Sequence, residues 1–116
     1  LGIKFDDLII TMSNKQEVYF CHGKSTNVLK VAQQYGCPTV QGHYHSSFSI
    51  QYWGNPNNLN WGLQVGCLID SKSLAFEYCK TQKSRPIIGC GIIIDGLPKL
   101  LPMVLNKGGK WNKICP

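Results

Sequence analysis

The segment from residue 17 to residue 42 constrains the fold most, because it has the pattern of a strand, a helix and a second strand. Residues 17 to 21 are β-prone, and residues 25 to 27 supply N-cap candidates for a helix that Gly36 would end. Residues 37 to 41 read as the second strand. Strands joined by such a crossover are expected to lie parallel, with their carboxyl ends at one edge of a sheet. The apolar residues of the predicted helix share one face: Val28, Val31, Ala32 and Tyr35.

A hairpin with one buried face is predicted next. Apolar and polar residues alternate over residues 48 to 52 and again over residues 59 to 67. The intervening residues 54 to 58 have the sequence Gly-Asn-Pro-Asn-Asn, which is typical of a turn.

A second hairpin is predicted near the end of the chain. Residues 87 to 94 are apolar and rich in isoleucine, and the Asp95-Gly96 pair that follows is a strong two-residue turn signal. Pro98 and Pro102 lack the N–H that a central strand needs, so the returning strand is expected at a sheet edge.

A shorter helix is predicted between the two hairpins. It would start at Asp70 or Ser71 and end before Pro86. Together these elements predict an α+β fold, a mixed β-sheet with flanking helices, in a single domain spanning residues 1–116. The residues that this helix is expected to bury are Leu74, Ala75 and Tyr78.

The sequence also bears on where in the cell the protein is expected and on whether its cysteines are oxidised. No apolar run reaches the roughly 18 residues that a membrane helix requires, and the first residues have no secretory signal, so a cytoplasmic protein without a membrane partner is expected. Six cysteines could form disulfides, but Cys67 and Cys90 lie in apolar strand-like runs. Reduced and mostly buried thiols are therefore expected.

All three histidines lie at the predicted strand ends. His22 follows the first strand of the crossover unit, and His43 and His45 follow the second. Neighbouring strands are only about 4.8 Å apart, so these imidazoles can converge on a cation such as Mn, Zn, Fe or Ni. The sequence therefore predicts a metal site at this edge of the sheet.

The His22-Gly23 pair, followed by the Gly42-His43-Tyr44-His45 turn, resembles the last two motifs of the calcineurin-like metallophosphoesterase superfamily. Residues 66 to 70 and 75 to 78 look most like its bacteriophage-encoded members, which would place the protein in the host cytoplasm. The resemblance implies the C-terminal half of the family's αββα sandwich. It also implies two divalent metal ions per complete site, with His22 and His43 on one ion, His45 on the other, and a bridging water that attacks a phosphate ester. Tyr44 and Lys24, which adjoin these residues, are candidate substrate contacts.

Three motifs of the same family are absent from this sequence. Asp-x-His, Gly-Asp-x-x-Asp and Gly-Asn-His blocks would precede His22, and the six acidic residues of the chain match none of them. The catalytic residues are therefore expected in a missing N-terminal segment, and the chain alone is expected to be inactive. Its partner would be that N-terminal half or a second copy in a homodimer.

Two alternatives stay open. The net charge of +6, with several lysines between Lys99 and Lys113, is compatible with a non-catalytic domain that retains the scaffold and binds nucleic acid or protein. A structural zinc module would recruit Cys21 or Cys37 beside His43 and His45, but the sequence contains no cysteine or histidine pair with zinc-finger spacing.

Overall fold

The computed structural model describes residues 7 to 69 and 86 to 113, and within them the chain is an α+β fold. Five strands form a mixed sheet, and two more form a separate antiparallel ribbon. The elements are β1 (Asp7–Thr11), β2 (Glu17–Cys21), α1 (Val28–Tyr35), β3 (Thr39–Gln41), β4 (Phe48–Gly54), β5 (Leu59–Val65), β6 (Gly89–Ile94) and β7 (Leu97–Pro102). The strand order in the sheet is β1-β2-β3-β5-β4, and the ribbon pairs β6 with β7.

The predicted strand, helix, strand unit is confirmed. Strands β2 and β3 pair in parallel, with Cys21 opposite Gln41, and α1 connects them. Asn27 is the N-cap of α1, since its side chain accepts a hydrogen bond from the Lys30 backbone N–H at 3.1 Å. Gly36 ends the helix in the left-handed conformation, with φ of 68°.

The predicted buried face of α1 is correct for three of its four residues. Val28, Val31 and Ala32 are buried, whereas Tyr35 is 48% exposed. Tyr35 is the last residue of the helix, and its ring stacks on that of Tyr19 with centroids 4.1 Å apart, so only one side of the ring is covered.

The first hairpin is confirmed as an antiparallel pair of β4 and β5, but the prediction of one buried face is wrong for β5. Asn60, Gly62 and Gln64 are buried as well as the apolar residues between them. Strand β5 lies between β3 and β4, so both of its edges are hydrogen-bonded. Its two faces are also covered, which buries the polar residues as well as the apolar ones.

Close contacts on β5 show which element packs on each face of the sheet. A Cβ added at Gly62 would lie 3.0 Å from Val28, so α1 packs on that face. A Cβ added at Gly91 of the ribbon would lie 2.9 Å from Leu63 and from Val65. Successive residues of a strand point to opposite faces, so the ribbon covers the face that α1 does not. The core cluster of Val18, Trp61 and Leu63 lies under the ribbon, with Ile93 and Leu100 packed against it.

The second hairpin is also confirmed. Asp95 and Gly96 both have positive φ, at 50° and 79°, as the predicted two-residue turn requires. The Trp61 indole N–H donates to the Gly96 carbonyl at 3.0 Å, which ties this turn to the sheet. Pro98 and Pro102 lie in β7, which is an edge strand because the ribbon has only two strands.

The predicted helix from residue 70 onward lies outside the described residues. Among the residues that are described, no helix is long and apolar enough to cross a membrane.

Candidate metal centre

His22 and His43 meet at the carboxyl ends of β2 and β3, as predicted. His22 directly follows β2, and His43 comes two residues after β3. The Nε2 atom of His22 lies 3.0 Å from the Nδ1 atom of His43, and the ring centroids are 4.8 Å apart. Both side chains are exposed, so the pair is open to solvent and to ligands.

A tight backbone turn directs the His43 ring toward His22. The Tyr44 N–H donates to the Gly42 carbonyl at 2.7 Å, which closes a γ-turn around His43. His43 has φ of 66°, a left-handed conformation that costs a non-glycine residue about 1–2 kcal/mol. The Gly42 N–H donates in turn to the His22 carbonyl at 3.0 Å, so the two histidine-bearing loops are joined through their backbones.

Gly23 leaves the space that the His43 side chain occupies. A Cβ added at Gly23 would lie 2.6 Å from the Cβ of His43 and 3.3 Å from the Tyr44 ring. Both distances are too short for unstrained carbon contacts. The glycine of the His-Gly motif is therefore required by the close approach of the second loop.

Gln41 fixes the loop that carries His22, a role that sequence reasoning missed. Its side chain is fully buried, accepts from the Lys24 backbone N–H at 3.2 Å and donates to the Ser25 carbonyl at 2.6 Å. The available signal was a glutamine at the end of a short strand, directly before the Gly-His-x-His turn.

His45 is placed differently from the other two histidines. It is half-buried, and its carbonyl accepts from the Ile87 N–H at 2.8 Å, beside the start of the ribbon. Over residues 7–69 and 86–113, no group of three or more His, Cys, Asp or Glu side chains is arranged to hold a metal ion. The structure brings His22 and His43 together, and the contribution of His45 stays a prediction.

The histidine pair nevertheless fits one part of a metal site. For ring nitrogens about 2.0–2.1 Å from a shared cation, a separation of 3.0 Å corresponds to an angle of about 94° at the cation. That angle is close to the one between neighbouring ligands of an octahedral ion. Without a metal the same separation is a hydrogen bond, in which one ring donates and the other accepts.

The candidate substrate contacts lie on both sides of this pair. Tyr44 is half-buried, and its ring packs edge-on against that of His43 with centroids 4.9 Å apart. Lys24 is exposed, and its backbone is fixed by Gln41.

Carboxylate ligands are not close to the pair among the described side chains. Glu17 begins β2 and so lies at the opposite end of that strand from His22. Asp95 lies in the turn between β6 and β7. Neither of these two carboxylates is therefore placed to complete a metal site with His22 and His43.

The positions of the cysteines argue against a structural zinc module. Cys37 precedes β3, at the opposite end of that strand from His43. The Cys21 sulfur lies 4.0 Å from the Gln41 carboxamide oxygen, at the distance of a weak hydrogen bond. The described cysteines are all free thiols.

The expectation that these thiols are mostly buried is wrong for Cys90, which is exposed, while Cys67 is half-buried. Gly89 and Gly91 face the sheet, so Cys90 between them points outward. At Cys37, burial raises the pKa of the thiol, Glu17 raises it further, and a hydrogen bond with the Tyr19 backbone partly opposes the rise.

Comparisons with protein-family models, with curated proteins and with solved structures gave no significant match to this chain. The resemblance to the metallophosphoesterases thus depends on the histidine motifs and on the residues around them.

Proposed function

We propose that this chain is the C-terminal part of a metal-dependent phosphoesterase that hydrolyses phosphomonoesters or phosphodiesters. The observation that carries the proposal is the 3.0 Å separation of the His22 and His43 ring nitrogens at the carboxyl ends of two parallel strands. In this proposal His22 and His43 hold one divalent cation, and His45 contributes to a second. The metal is manganese, zinc, iron or nickel, all of which accept imidazole.

When bound, a pair of such cations activates a water molecule and neutralises phosphate oxygens. The residues of this chain position that chemistry. The Tyr44 ring restricts the His43 ring from one side, and Lys24, two residues from His22, adds a positive charge for a phosphate group. Nucleic acid and nucleotides are substrates compatible with the charge of the chain.

The proposal includes a partner that supplies the missing ligands. Strand β1 is an edge of the mixed sheet, and three successive apolar side chains on it are exposed. Such an edge offers unpaired backbone groups and apolar surface together. Either an N-terminal half of the enzyme or a second copy of this chain would cover it. The exposed residues are Leu8 at 46%, Ile9 at 58% and Ile10 at 40%.

Metal binding by the chain itself tests the first part of the proposal. Added Mn²⁺ or Zn²⁺ should raise the melting temperature, because an ion that binds only the folded state stabilises it. His22→Ala should remove most of this effect, while His45→Ala should leave the first ion bound. Purified protein that neither contains a transition metal nor gains stability from one would contradict the assignment.

Reconstitution tests the second part. Hydrolysis of p-nitrophenyl phosphate or of bis(p-nitrophenyl) phosphate is expected only when a segment with the three missing motifs is supplied together with this chain. Sedimentation measures whether the chain associates with itself or with that segment. A strictly monomeric chain that gains no activity from the segment would count against the proposal.

The last described hairpin favours a second candidate, a non-catalytic nucleic-acid-binding domain. Leu105 pairs with Trp111, and the Asn106 side chain accepts from the backbone N–H groups of Gly108 and Lys110. Lys107 and Lys110 are exposed in this turn, and the Trp111 side chain that follows is 38% exposed, a combination suited to phosphates and bases.

DNA binding distinguishes the two candidates. Affinity that falls steeply with salt, is unaffected by EDTA and is reduced by a double Lys107→Ala, Lys110→Ala variant would favour the second. No detectable binding at low salt would remove it.

A further inference from the structure

Two buried glutamines lie side by side in the middle of the sheet. Gln41 on β3 and Gln64 on β5 are direct partners in the parallel pairing of these strands. Gln41 is completely buried and Gln64 is 5% exposed. A buried carboxamide destabilises the fold unless its oxygen and nitrogen are hydrogen-bonded, so the partners of these two side chains need to be identified.

Both glutamines bond to the connection between β2 and α1. The Gln41 Nε2 donates to the Ser25 carbonyl at 2.6 Å, and the Gln64 Nε2 donates to the Thr26 carbonyl at 3.0 Å. Successive carbonyls of the connection are thus held by successive strands of the sheet. The Gln64 oxygen accepts from the Ser49 hydroxyl at 3.1 Å, on the side away from the histidines.

Only Gln41 holds the chain on both sides of His22. Before His22, the Cys21 thiol lies 4.0 Å from the Gln41 Oε1, and the backbones of these two residues also pair. After His22, the Lys24 N–H donates to the Gln41 Oε1 at 3.2 Å. The same residue precedes the turn that carries His43. One side chain therefore connects the two loops whose histidines meet.

We infer that Gln41 is a positioning residue for the His22–His43 pair, an inference that rests on the proposed metal site. Gln64 has the same chemistry and nearly the same burial, but its contact with the connection, at Thr26, lies two residues further from His22 than the Lys24 contact of Gln41. It is therefore a matched control for the cost of removing a buried carboxamide.

The test compares Gln41→Leu with Gln64→Leu. Both should be less stable than the wild type toward urea by similar amounts, because each leaves a carbonyl of the connection without its donor. Only Gln41→Leu should weaken Mn²⁺ or Zn²⁺ binding measured by calorimetry, by about tenfold or more, as is typical of residues that orient metal ligands. Gln41→Met keeps the length of the side chain but can neither accept from Lys24 nor donate to Ser25, so it should behave as Gln41→Leu and serves if Gln41→Leu does not fold.

A second readout separates this inference from the metal proposal. In metal-free protein, nuclear Overhauser effects between the His22 and His43 rings should be present in the wild type and in Gln64→Leu, and reduced in Gln41→Leu. If the wild type binds no metal, the proposed function fails while the ring contact still tests the role of Gln41. The inference is overturned if both glutamine variants change affinity and ring contact equally, or if Gln41→Leu changes neither.

Discussion

Substituting Gly23 by alanine should damage the histidine pair, whereas the same change at Gly42 should not. The new Cβ at Gly23 would lie 2.6 Å from the His43 Cβ, so His43 would have to move by about 1 Å to restore an ordinary carbon contact. At Gly42 the nearest atom to a new Cβ is the His22 carbonyl oxygen at 3.6 Å, which is an ordinary contact.

The expected loss of metal affinity follows from the distance between the two histidine nitrogens. A shift of about 1 Å away from His22 would stretch the nitrogen separation toward about 4 Å, which opens the angle at a shared cation to roughly 150°. Two imidazoles so arranged no longer act as neighbouring ligands, and a tenfold or greater loss of metal affinity is expected. Overpacking alone should cost the metal-free protein about 1–3 kcal/mol.

Thermal unfolding with and without Mn²⁺ or Zn²⁺ measures both effects. At a metal concentration of about 100 times the dissociation constant, a site present only in the folded state adds about 2.7 kcal/mol. A tenfold weaker site would lose about half of this increment. Gly42→Ala should keep the full increment.

The role of Gly23 in holding the histidine pair would be refuted by a Gly23→Ala protein that keeps the same metal-dependent increment as the wild type. It would be refuted equally by Gly42→Ala losing as much as Gly23→Ala, since general disturbance of the two loops would then explain the result. Melting temperatures of the metal-free variants provide the baseline for both comparisons.

Three further predictions concern single residues. His43→Asn should abolish metal-dependent stabilisation and cost the metal-free protein only about 0.5–1.5 kcal/mol for the lost hydrogen bond to His22, because asparagine, like histidine, is found at positive φ more often than most residues; a larger loss of metal-free stability would contradict this. Trp61→Phe should lower the free energy of unfolding by about 0.5–1.5 kcal/mol plus a packing term, because it removes the hydrogen bond to Gly96, and urea denaturation would measure it. The pKa of Cys37 is raised above its ordinary value of 9.0, so stability should be unaffected by this thiol below that pH and should fall as pH rises through the folded pKa; in Cys37→Ala the fall above pH 9.0 should be smaller, as followed by melting temperature.

Much of the fold could be predicted from local patterns. The parallel pair of β2 and β3 follows from a strand, an N-capped helix and a glycine stop, and the turn at Asp95 and Gly96 follows from residue types that accept positive φ. These features depend on a few neighbouring residues. The separate ribbon and the burial of both faces of β5 depend on which elements pack on the sheet, which alternation along one strand does not specify.

The same division applies to the candidate site. The contact between His22 and His43 could be predicted, because two neighbouring parallel strands end at the same edge of the sheet. The need for glycine at position 23 could not, since it comes from the approach of a side chain 20 residues later in the sequence. Neither could the role of Gln41, whose partners are backbone groups that only the folded connection brings within reach.

Two exceptions to the simplest sequence for this fold lie close to the paired histidines. Gln41 occupies a buried strand position where an apolar side chain would avoid any requirement for hydrogen bonds. His43 adopts a left-handed conformation that glycine would adopt with less strain. The remaining described non-glycine residues with positive φ are Lys15 and Asp95, which lie in hairpin turns, and Lys113, the last described residue. Because selection for stability alone would favour glycine at 43 and an apolar residue at 41, keeping both exceptions beside the paired imidazoles is best explained by a requirement for those imidazoles to be held together.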